Sequence, residues 1–423
     1  MKKQKGLIII MISIIITYIS WVFIKPTRDI PAITQYSELI AAIVMVFFCL
    51  INFISTRHKF AEYMFNGLDK SYLYHKYLSI FSLILILVHN ETIDIGKKLQ
   101  RTSGIRIPKD PYAMYGSFSL YLFVALILVA LVAKKLNYER WKVIHKLMII
   151  PYSLGIYHYY GSSNYPTFSL DFFSLWMNLI NLIGIISAVY SIFIYEKKSF
   201  KYKYKVKKLR TVAIGTLEIT GSALGKDLEY KPGQFAFLKA INSDINFTSH
   251  PFTLSEAHKK GEIQFTIKAL GDDTKRLIET LKIGDEFSVS GPYGKFDFKS
   301  GAKNQIWIAG GIGITPFRSF AQEEVPEDFS IDFFYAYNSE DDAPYVKELQ
   351  ELTSNLSNVR LYLFNSKEKG FLTVKEISEL VTINAPFDVY FCGPKPMREG
   401  LMKQFKNSSM NISNFHYEHF QFK

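Results

Sequence analysis

Four histidines occur as two pairs inside apolar segments of the chain. His75 and His89 are fourteen residues apart in one segment, and His145 and His158 are thirteen apart in another. A helix rises about 1.5 Å per residue, so His75 and His89 would lie about 21 Å apart, offset around the helix by only about 40°. Imidazole nitrogen binds haem iron axially. The spacing therefore predicts two stacked haems in a membrane.

The second pair fits this geometry less closely. Thirteen residues leave His145 and His158 about 140° apart on a straight helix, and Pro151 between them predicts a kink that re-phases the helix. A single histidine in a membrane helix can also line a water cavity, whereas four in matched pairs favour metal ligation. Surface or packing roles are expected for the histidines in polar sequence: His58, His258, His416 and His419.

The apolar segments divide the chain into two halves of different character. A chain of 423 residues is too long for one core, and apolar runs dominate residues 6–195, whereas the rest mixes charge with strand-like alternation. Six segments are long enough to span a bilayer: 6–24, 37–55, 72–89, 117–133, 141–160 and 172–195. The predicted domains are a six-helix transmembrane bundle at 1–196, an antiparallel β-barrel at 197–299 and an α/β domain with a parallel sheet at 300–423.

The basic residues predict an orientation. The net charge of +12 comes largely from lysines beside apolar segments, which favours membrane flanking over a nucleic-acid partner. With the N-terminus cytoplasmic, most flanking Lys and Arg lie inside, apart from those of the loop 90–115. The third and fifth spans then run in the same direction, which pairs His75 with His145 near the cytoplasm and His89 with His158 near the outside. The soluble half is then cytosolic, in agreement with two cysteines and no disulfide framework.

Two motifs in the last third predict a nucleotide site. A glycine-rich turn follows an apolar strand and opens a helix, where backbone amides can approach a pyrophosphate. A second turn closes a later strand, at the carboxyl edge where ligands bind in open α/β sheets. The first turn comprises Gly310, Gly311, Gly313, Thr315 and Pro316, and the second comprises Cys392, Gly393 and Pro394.

The middle of the chain carries residues suited to a flavin. One short strand places an aromatic ring and hydroxyl groups together, and a following helix start offers amides to a second pyrophosphate. The strand residues are His250, Pro251, Phe252, Thr253 and Ser255, and the helix start contains Gly271, Asp272 and Thr274. Gly291, in a Gly-Pro-Tyr-Gly turn, serves either the flavin or a corner of the barrel. Each motif alone is also compatible with an ordinary turn.

Taken in order, the paired histidines, HPFTLS, LGDDT, GPYG, GGIGITPF, CGP and a terminal aromatic resemble the ferric-reductase-like transmembrane superfamily, and within it the prokaryotic NADPH oxidases. The resemblance implies an NAD(P)H oxidase in a bacterial plasma membrane. Such a protein moves electrons from cytosolic NADPH through FAD and two b-type haems to extracellular oxygen, which yields superoxide, and needs no obligatory protein partner.

The resemblance also implies roles for individual residues. His250 to Thr253 would bind FAD, with Thr253 nearest the isoalloxazine, and Gly271 to Thr274 would hold its phosphates. Gly311, Gly313 and Thr315 would hold the NADPH phosphates, with Cys392 beside the nicotinamide. Phe420 would stack on the flavin and yield to the nicotinamide. Thr253, Cys392 and Phe420 are therefore the expected catalytic residues.

Some features leave alternatives open. The acidic stretch Glu340, Asp341 and Asp342, after the second strand of the α/β domain, favours a ribose 2′-OH, so NADH is also expected as a donor. The basic outer loop at 97–109 favours a ferric-chelate reductase with the same electron path. A membrane subunit that serves a partner protein is a third possibility, weakened by the chain's own flavin and nucleotide motifs.

Overall fold

The computed structural model describes residues 5–104, 109–132, 138–240, 249–381 and 385–418. These residues form two compact units that divide between Lys197 and Lys198.

The first unit is helical. Five of its described helical segments are long and apolar enough to cross a membrane: Lys5–Val22, Ala32–Ser55, Leu68–Thr102, Ala113–Ala130 and Phe172–Ser199. Their outward faces carry half-exposed apolar side chains such as Ile84, Leu128 and Leu182, and faces of this kind need lipid around them. The helices are α1 (Lys5–Val22), α2 (Ala32–Ser55), α3 (Lys59–Met64), α4 (Leu68–Thr102), α5 (Ala113–Val132), α6 (Tyr138–Lys146), α7 (Ile149–Ser162), α8 (Phe172–Val189) and α9 (Tyr195–Ser199), with a π-helical turn (Tyr190–Ile194) between α8 and α9.

The predicted fifth span at 141–160 is a broken helix. The helix α6 ends at Lys146 and α7 begins at Ile149, so Pro151 occupies the first turn of α7. Proline has no amide hydrogen and its ring excludes the carbonyl four residues earlier, that of Leu147. The break therefore falls where Pro151 prevents helical bonding. Among the described residues, five helices are long and apolar enough to span a membrane, and the span predicted at 141–160 is this broken pair, whose crossing of the membrane stays a prediction.

The first part of the second unit is an antiparallel sheet. Its strand order is β4-β3-β6-β1-β2-β5, and a bridge between Leu254 and Phe265 joins the two end strands. Tyr204, Ile219 and Phe287 lie in its buried core. Closure into a full barrel stays a prediction. The elements are β1 (Tyr202–Ala213), β2 (Thr216–Ala223), β3 (Phe235–Ala240), β4 (His250–Thr253), β5 (Glu262–Lys268), α10 (Asp272–Thr280) and β6 (Glu286–Tyr293).

The second part is the predicted α/β structure with a parallel sheet. Its order is β11-β10-β7-β8-β9, and all neighbouring strands run parallel. Helices cover a sheet whose central strands are buried on both faces, as parallel sheets require. The elements are β7 (Asn304–Gly310), α11 (Thr315–Ala321), β8 (Ser330–Tyr337), α12 (Val346–Ser354), β9 (Val359–Asn365), α13 (Ser366–Lys369), α14 (Val374–Leu380), β10 (Phe387–Cys392), α15 (Lys395–Lys406) and β11 (Ile412–Tyr417).

Candidate functional site

The four histidines of the membrane unit meet as two pairs. The ring centroids of His75 and His145 are 6.0 Å apart, and those of His89 and His158 are 6.4 Å apart. Two imidazoles that bind one iron from opposite sides, through bonds of about 2 Å, have ring centres about 6 Å apart. Both pairs therefore fit axial ligation of an iron held between them.

Hydrogen bonds orient His89 and His158 for this role. This pair is named the outer pair, and His75 with His145 the inner pair, after the sides of the membrane predicted for them. His89 Nδ1 lies 2.9 Å from both Oγ and the backbone oxygen of Ser37. His158 Nδ1 lies 3.1 Å from the oxygen of Tyr112 and 2.9 Å from Ser162 Oγ. Each Nδ1 can therefore donate to an acceptor, which fixes the ring and leaves Nε2 for a metal.

The inner pair is less symmetric. His75 Nδ1 lies 3.3 Å from Ser55 Oγ, which itself donates to the oxygen of Ile51. The Nδ1 of His145 is buried and has no hydrogen-bond partner among the described residues. The ring of His145 instead stacks on Trp141, at 5.0 Å between centroids and 13° between planes. Packing, and not a hydrogen bond, orients this imidazole.

Gly116 allows α5 to approach the outer pair. A Cβ at this position would lie 2.8 Å from both Nε2 and Cδ2 of His158. Since real Cβ atoms do not come this close, any other residue would displace the ring.

A cavity of about 1140 Å³ adjoins the outer pair and is lined by both His89 and His158. Its wall also contains Glu38, which accepts hydrogen bonds from the backbone and side chain of Asn164. Apolar residues and charged residues of both signs also line it, the charged ones being Arg28, Asp29, Asp94, Lys97, Arg101, Lys109 and Asp110. Because both histidines are on its wall, the cavity includes the space that a haem held between them would occupy, and its charged residues could face a small charged molecule.

The two nucleotide motifs meet in the second unit, at the carboxyl ends of the neighbouring strands β7 and β10. A Cβ on Gly313 would lie 2.2 Å from the oxygen of Cys392, and one on Gly393 would lie 3.1 Å from the Cα of Gly310. The loops therefore pack backbone against backbone. Gly311 has φ +55° and open space around its Cβ position, which suits a phosphate near the backbone.

Three further predicted residues of these two loops pack against the protein. Thr315 and Pro316 are buried at the start of α11, and Thr315 Oγ1 donates to the oxygen of Ile312 at 3.2 Å. Pro394 packs against Gly310, since its Cδ would lie 2.8 Å from a Cβ there. These residues shape the loops, and any contact with a phosphate stays a prediction.

Cys392 is buried at the end of β10. Burial, and then the charge of Glu418, raises the pKa of its thiol above the usual range. The thiol is therefore protonated at neutral pH and is not a nucleophile.

Glu418 is a site residue that the motifs did not identify. Its Oε1 would lie 2.7 Å from a Cβ on Gly294, so it reaches the Gly-Pro-Tyr-Gly motif. The first three residues of that motif end strand β6 and do not form the predicted turn, and a Cβ on Gly291 would lie 3.0 Å from that of Ala236 on β3. The place of Glu418 two residues before Phe420 is the only sequence signal for it. Phe420 itself lies outside the described residues.

The predicted flavin residues lie together on β4 and at the start of α10. In the β3–β4 register, Thr253 faces Phe235, and His250 faces Leu238. His250 Nε2 is 3.5 Å from Asp273 Oδ2, and the rings of His250 and Phe252 stack. The structure therefore joins the two predicted flavin motifs.

The start of α10 has open space beside it. Thr274 Oγ1 accepts from the amides of Leu270 and Gly271, each at 3.1 Å. Asp272 is exposed, and no described atom lies within 4 Å of the Cβ position of Gly271.

Ser255 has a different environment from the rest of its motif. It is fully buried, its hydroxyl accepts from Thr266 at 2.9 Å, and its backbone oxygen accepts from Arg318 at 2.7 Å. These contacts place the side chain inside a polar cluster that the sequence did not predict. Its expected contact with the cofactor stays a prediction.

Three family matches follow one another along the chain. A ferric reductase like transmembrane component matches residues 39–156, an FAD-binding domain matches 201–297, and an oxidoreductase NAD-binding domain matches 307–403. Together with the spanning helices, these matches define a membrane protein with an FAD- and NAD-binding oxidoreductase module. This is the architecture of the ferric-reductase-like/NADPH oxidase superfamily, and the chain belongs to that superfamily.

Similar curated proteins are electron-transfer or reductase components by their names. The toluate 1,2-dioxygenase electron transfer component of Pseudomonas putida is 25% identical over 230 residues, which are 52% of this chain and 67% of that protein. The propane 2-monooxygenase reductase component of Mycolicibacterium smegmatis is 29% identical over 186 residues, 40% of this chain and 53% of that protein. The chain thus spans about half to two thirds of the length of these relatives.

Solved structures match over a similar share. Phthalate dioxygenase reductase is 20% identical, covers 51% of this chain and 68% of its own, and has a TM-score of 0.42. The FAD/NAD-binding domain of nitric oxide dioxygenase from Vibrio cholerae O1 biovar El Tor is 17% identical, covers 51% and 98%, and has a TM-score of 0.43.

Proposed function

We propose that the chain is an NAD(P)H oxidase that transfers electrons from cytosolic NAD(P)H across the membrane to extracellular oxygen, through FAD and two b-type haems, and so produces superoxide. The observation that carries this proposal is the pair of imidazole separations, 6.0 and 6.4 Å, in a chain that also has a flavin and nucleotide module. His75 with His145 and His89 with His158 would hold the haems.

When bound, FAD supplies the change from two-electron to one-electron transfer, and the haems supply one-electron carriers. The protein supplies order and orientation. Ser37, Tyr112 and Ser162 orient the outer imidazoles, and the open backbone at Gly311 offers amides to a phosphate. Each haem would be held by two histidines and would supply one-electron chemistry to an acceptor nearby.

The proposal includes an orientation and a set of partners. The N-terminus and both nucleotide-binding domains would lie in the cytoplasm, and the cavity beside His89 and His158 would open to the outside of the plasma membrane. Basic residues near the inner pair support this, because Lys142 and Lys146 lie on α6 beside His145 and basic residues are enriched on the cytoplasmic side. The lipid bilayer and a small electron acceptor would be the partners, without a protein partner or nucleic acid.

The deciding experiment is cytochrome c reduction by the purified, FAD-supplemented chain with NADPH in air, with and without superoxide dismutase. Suppression by the dismutase is the expected result, since only superoxide-mediated reduction is sensitive to it. Cytochrome c reduction that the dismutase does not suppress, or no reduction at all, would overturn the assignment to oxygen.

A second candidate is a ferric-chelate reductase with the same electron path. The outer cavity favours it, because Arg28, Lys97 and Arg101 on its wall could hold an anionic chelate, although Lys97 also contacts Asp94 at 3.5 Å. Anaerobic reduction of ferric citrate at a rate equal to or above that of oxygen, and weakened by salt, would establish this activity.

The donor preference is a further part of the proposal. Glu340, Asp341 and Asp342 form a short 3-10 turn directly after β8. Carboxylates here disfavour a 2′-phosphate, so the ratio of kcat/KM for NADPH to that for NADH is expected to be near or below one.

A further inference from the structure

A guanidinium is buried between the flavin-side and nucleotide-side sheets of the second unit. Arg318 on α11 is 4% exposed and lies three residues after Thr315. It donates to the backbone oxygen of Ser255 at 2.7 Å and to the side-chain oxygen of Gln264, both on the flavin side. It also donates to Glu348 Oε1 on α12 at 2.7 Å. One side chain therefore joins both halves of the reductase module.

Tyr345 packs against the guanidinium of Arg318. The guanidinium of Arg318 lies 4.2 Å from the centre of its ring, a cation–π contact. Tyr345 Oη donates to Glu218 at 2.8 Å and lies 2.7 Å from Thr266 Oγ1. Tyr345 has φ +69°, a left-handed backbone that costs free energy for a residue with a Cβ. The fold maintains this conformation at the cluster.

Glu218 supplies a negative charge beside Arg318. It is 2% exposed and accepts two hydrogen bonds from Arg210, at 2.9 and 2.7 Å. Burial raises the pKa of this carboxyl, but the hydrogen bonds from Arg210 and Tyr345 outweigh it and leave the pKa below the usual range. Glu218 is therefore ionised beside Arg318, and the cluster carries two buried charges of opposite sign.

The position of the cluster links the two expected reaction partners. Ser255 lies two residues after Thr253, which is the last residue of the flavin strand β4. Arg318 lies on α11, about one helical turn after the glycine loop at 310–313. Two further bonds join the flavin side to the same helix region, from the amide of Gly233 to Ser319 Oγ at 3.1 Å and from the amide of Ala257 to Gln322 Oε1 at 2.9 Å. Thr266 extends the link through its bond to Ser255 Oγ at 2.9 Å. A shift of this contact moves the flavin strand and the nucleotide loop relative to each other.

We propose that Arg318 is a positioning residue for hydride transfer, which holds the flavin strand and the nucleotide-binding helix at the separation that the nicotinamide and flavin rings need. This inference rests on the proposed function. It assigns no chemical step to Arg318 itself, because the side chain is 4% exposed and its Nε and Nη1 both donate to protein acceptors.

The test compares Arg318→Met, Arg318→Lys and Tyr345→Phe in the full-length, FAD-loaded protein. Anaerobic stopped-flow measures flavin reduction by NADPH and by NADPH deuterated at the transferred position. A misplacement of about 1 Å can cost about 100-fold in rate, so Arg318→Met should lower the hydride-transfer rate constant by about tenfold or more. FAD content should be kept, the Kd for NADPH should change by less than about threefold, and the isotope effect should increase.

Arg360→Met is the matched control. Arg360 also bonds a buried carboxylate, Asp332, at 2.7 and 2.8 Å, but in the amino-terminal half of β8 and β9, away from the crevice. It should lower the unfolding temperature without changing the hydride-transfer rate constant. Arg318→Lys should restore part of the rate, because a lysine keeps the charge and one donor.

The outcomes distinguish a failure of the positioning role from a failure of the proposed function. An Arg318→Met protein with lower thermal stability but a wild-type rate constant per bound FAD would overturn the positioning role. Should that variant not fold, Arg318→Lys decides, because a lysine lacks the planar fork that bonds Ser255, Gln264 and Glu348 together, and a fully wild-type rate constant in it overturns the role. A wild-type protein whose flavin is not reduced by NADPH or NADH would instead overturn the proposed function.

Discussion

Ser37 on α2 holds His89 on α4 by two atoms, since its hydroxyl and its backbone oxygen both lie 2.9 Å from His89 Nδ1. The same hydroxyl donates to the backbone oxygen of His89 at 3.0 Å. His145, in contrast, has no acceptor for Nδ1 among the described residues. Partners of this kind fix the ring of a metal-bound histidine and increase its basicity. The outer pair is therefore better supported than the inner one.

Ser37→Ala should weaken retention of the outer haem. Loss of such a partner typically costs 10- to 100-fold in metal affinity, and the backbone oxygen of Ser37 remains, so we expect about tenfold faster haem transfer to apomyoglobin. Ser82→Ala is the control, because Ser82 is buried in α4 but bonds only Leu78 of its own helix. Equal transfer rates for the two variants would show that Ser37 does not support a haem ligand.

His89→Leu should remove the outer haem and stop electron delivery to the outside. Flavin reduction by NADPH should be unaffected, because it takes place in the other unit. The pyridine haemochrome assay should then give about one haem per chain in place of about two. His58→Leu serves as the control, since His58 is exposed and caps α3. Wild-type haem content in His89→Leu would refute the assignment of this ligand.

Gly313→Ala should separate the two nucleotide loops. Its Cβ would lie 2.2 Å from the oxygen of Cys392 and 2.8 Å from the amide nitrogen of Gly393, and neither backbone atom can move away freely. We expect a loss of stability of about 1–3 kcal/mol and a KM for NADPH about tenfold higher. Gly225→Ala is the control, because no described atom lies within 4 Å of its Cβ position. An unchanged KM would show that the loops do not form the nucleotide site.

Cys392 should react slowly with iodoacetamide up to alkaline pH. Its folded pKa is raised, whereas an unfolded thiol ionises near pH 8.5, so above that pH the unfolded state releases its proton first. The free energy of unfolding therefore falls as pH rises above about 8.5 and does not depend on this group below it. In a Cys49→Ser background, Cys392 is the only thiol. Mass spectrometry of alkylation against pH tests this, with urea-unfolded protein as reference, and half-maximal native labelling near pH 8.5 would contradict it.

The parts of the fold that follow from local pattern were predictable. The order of the spans along the chain determines the predicted direction of each span. These directions pair His75 with His145 and His89 with His158, and the same pairs occur in the structure. Pro151 marks the break between α6 and α7 because proline acts on its own turn. The two glycine loops converge because carboxyl ends of neighbouring parallel strands share an edge.

The parts that depend on long-range packing were not predictable. Glu218 and Tyr345 are 127 residues apart in the chain, and neither lies in a motif. Ser37 meets His89 through the rotation of α2 about its axis, which many contacts determine together. Glu418 reaches Gly294 only once β11 is placed at the edge of the sheet. No pattern in one segment contains these relationships.

Phe420→Ser should change nicotinamide access and the preference between NADH and NADPH. The superfamily resemblance places an aromatic cover on the flavin at this position, and its loss would let the nicotinamide approach without displacing a ring. The KM for both nucleotides should fall and their kcat/KM values should converge, measured by steady-state kinetics on the FAD-loaded protein. Phe415→Ser is unsuitable as a control because Phe415 packs in the core, whereas the exposed Phe371→Ser changes a surface ring alone. Unchanged kinetics with both nucleotides would mean that another residue covers the flavin.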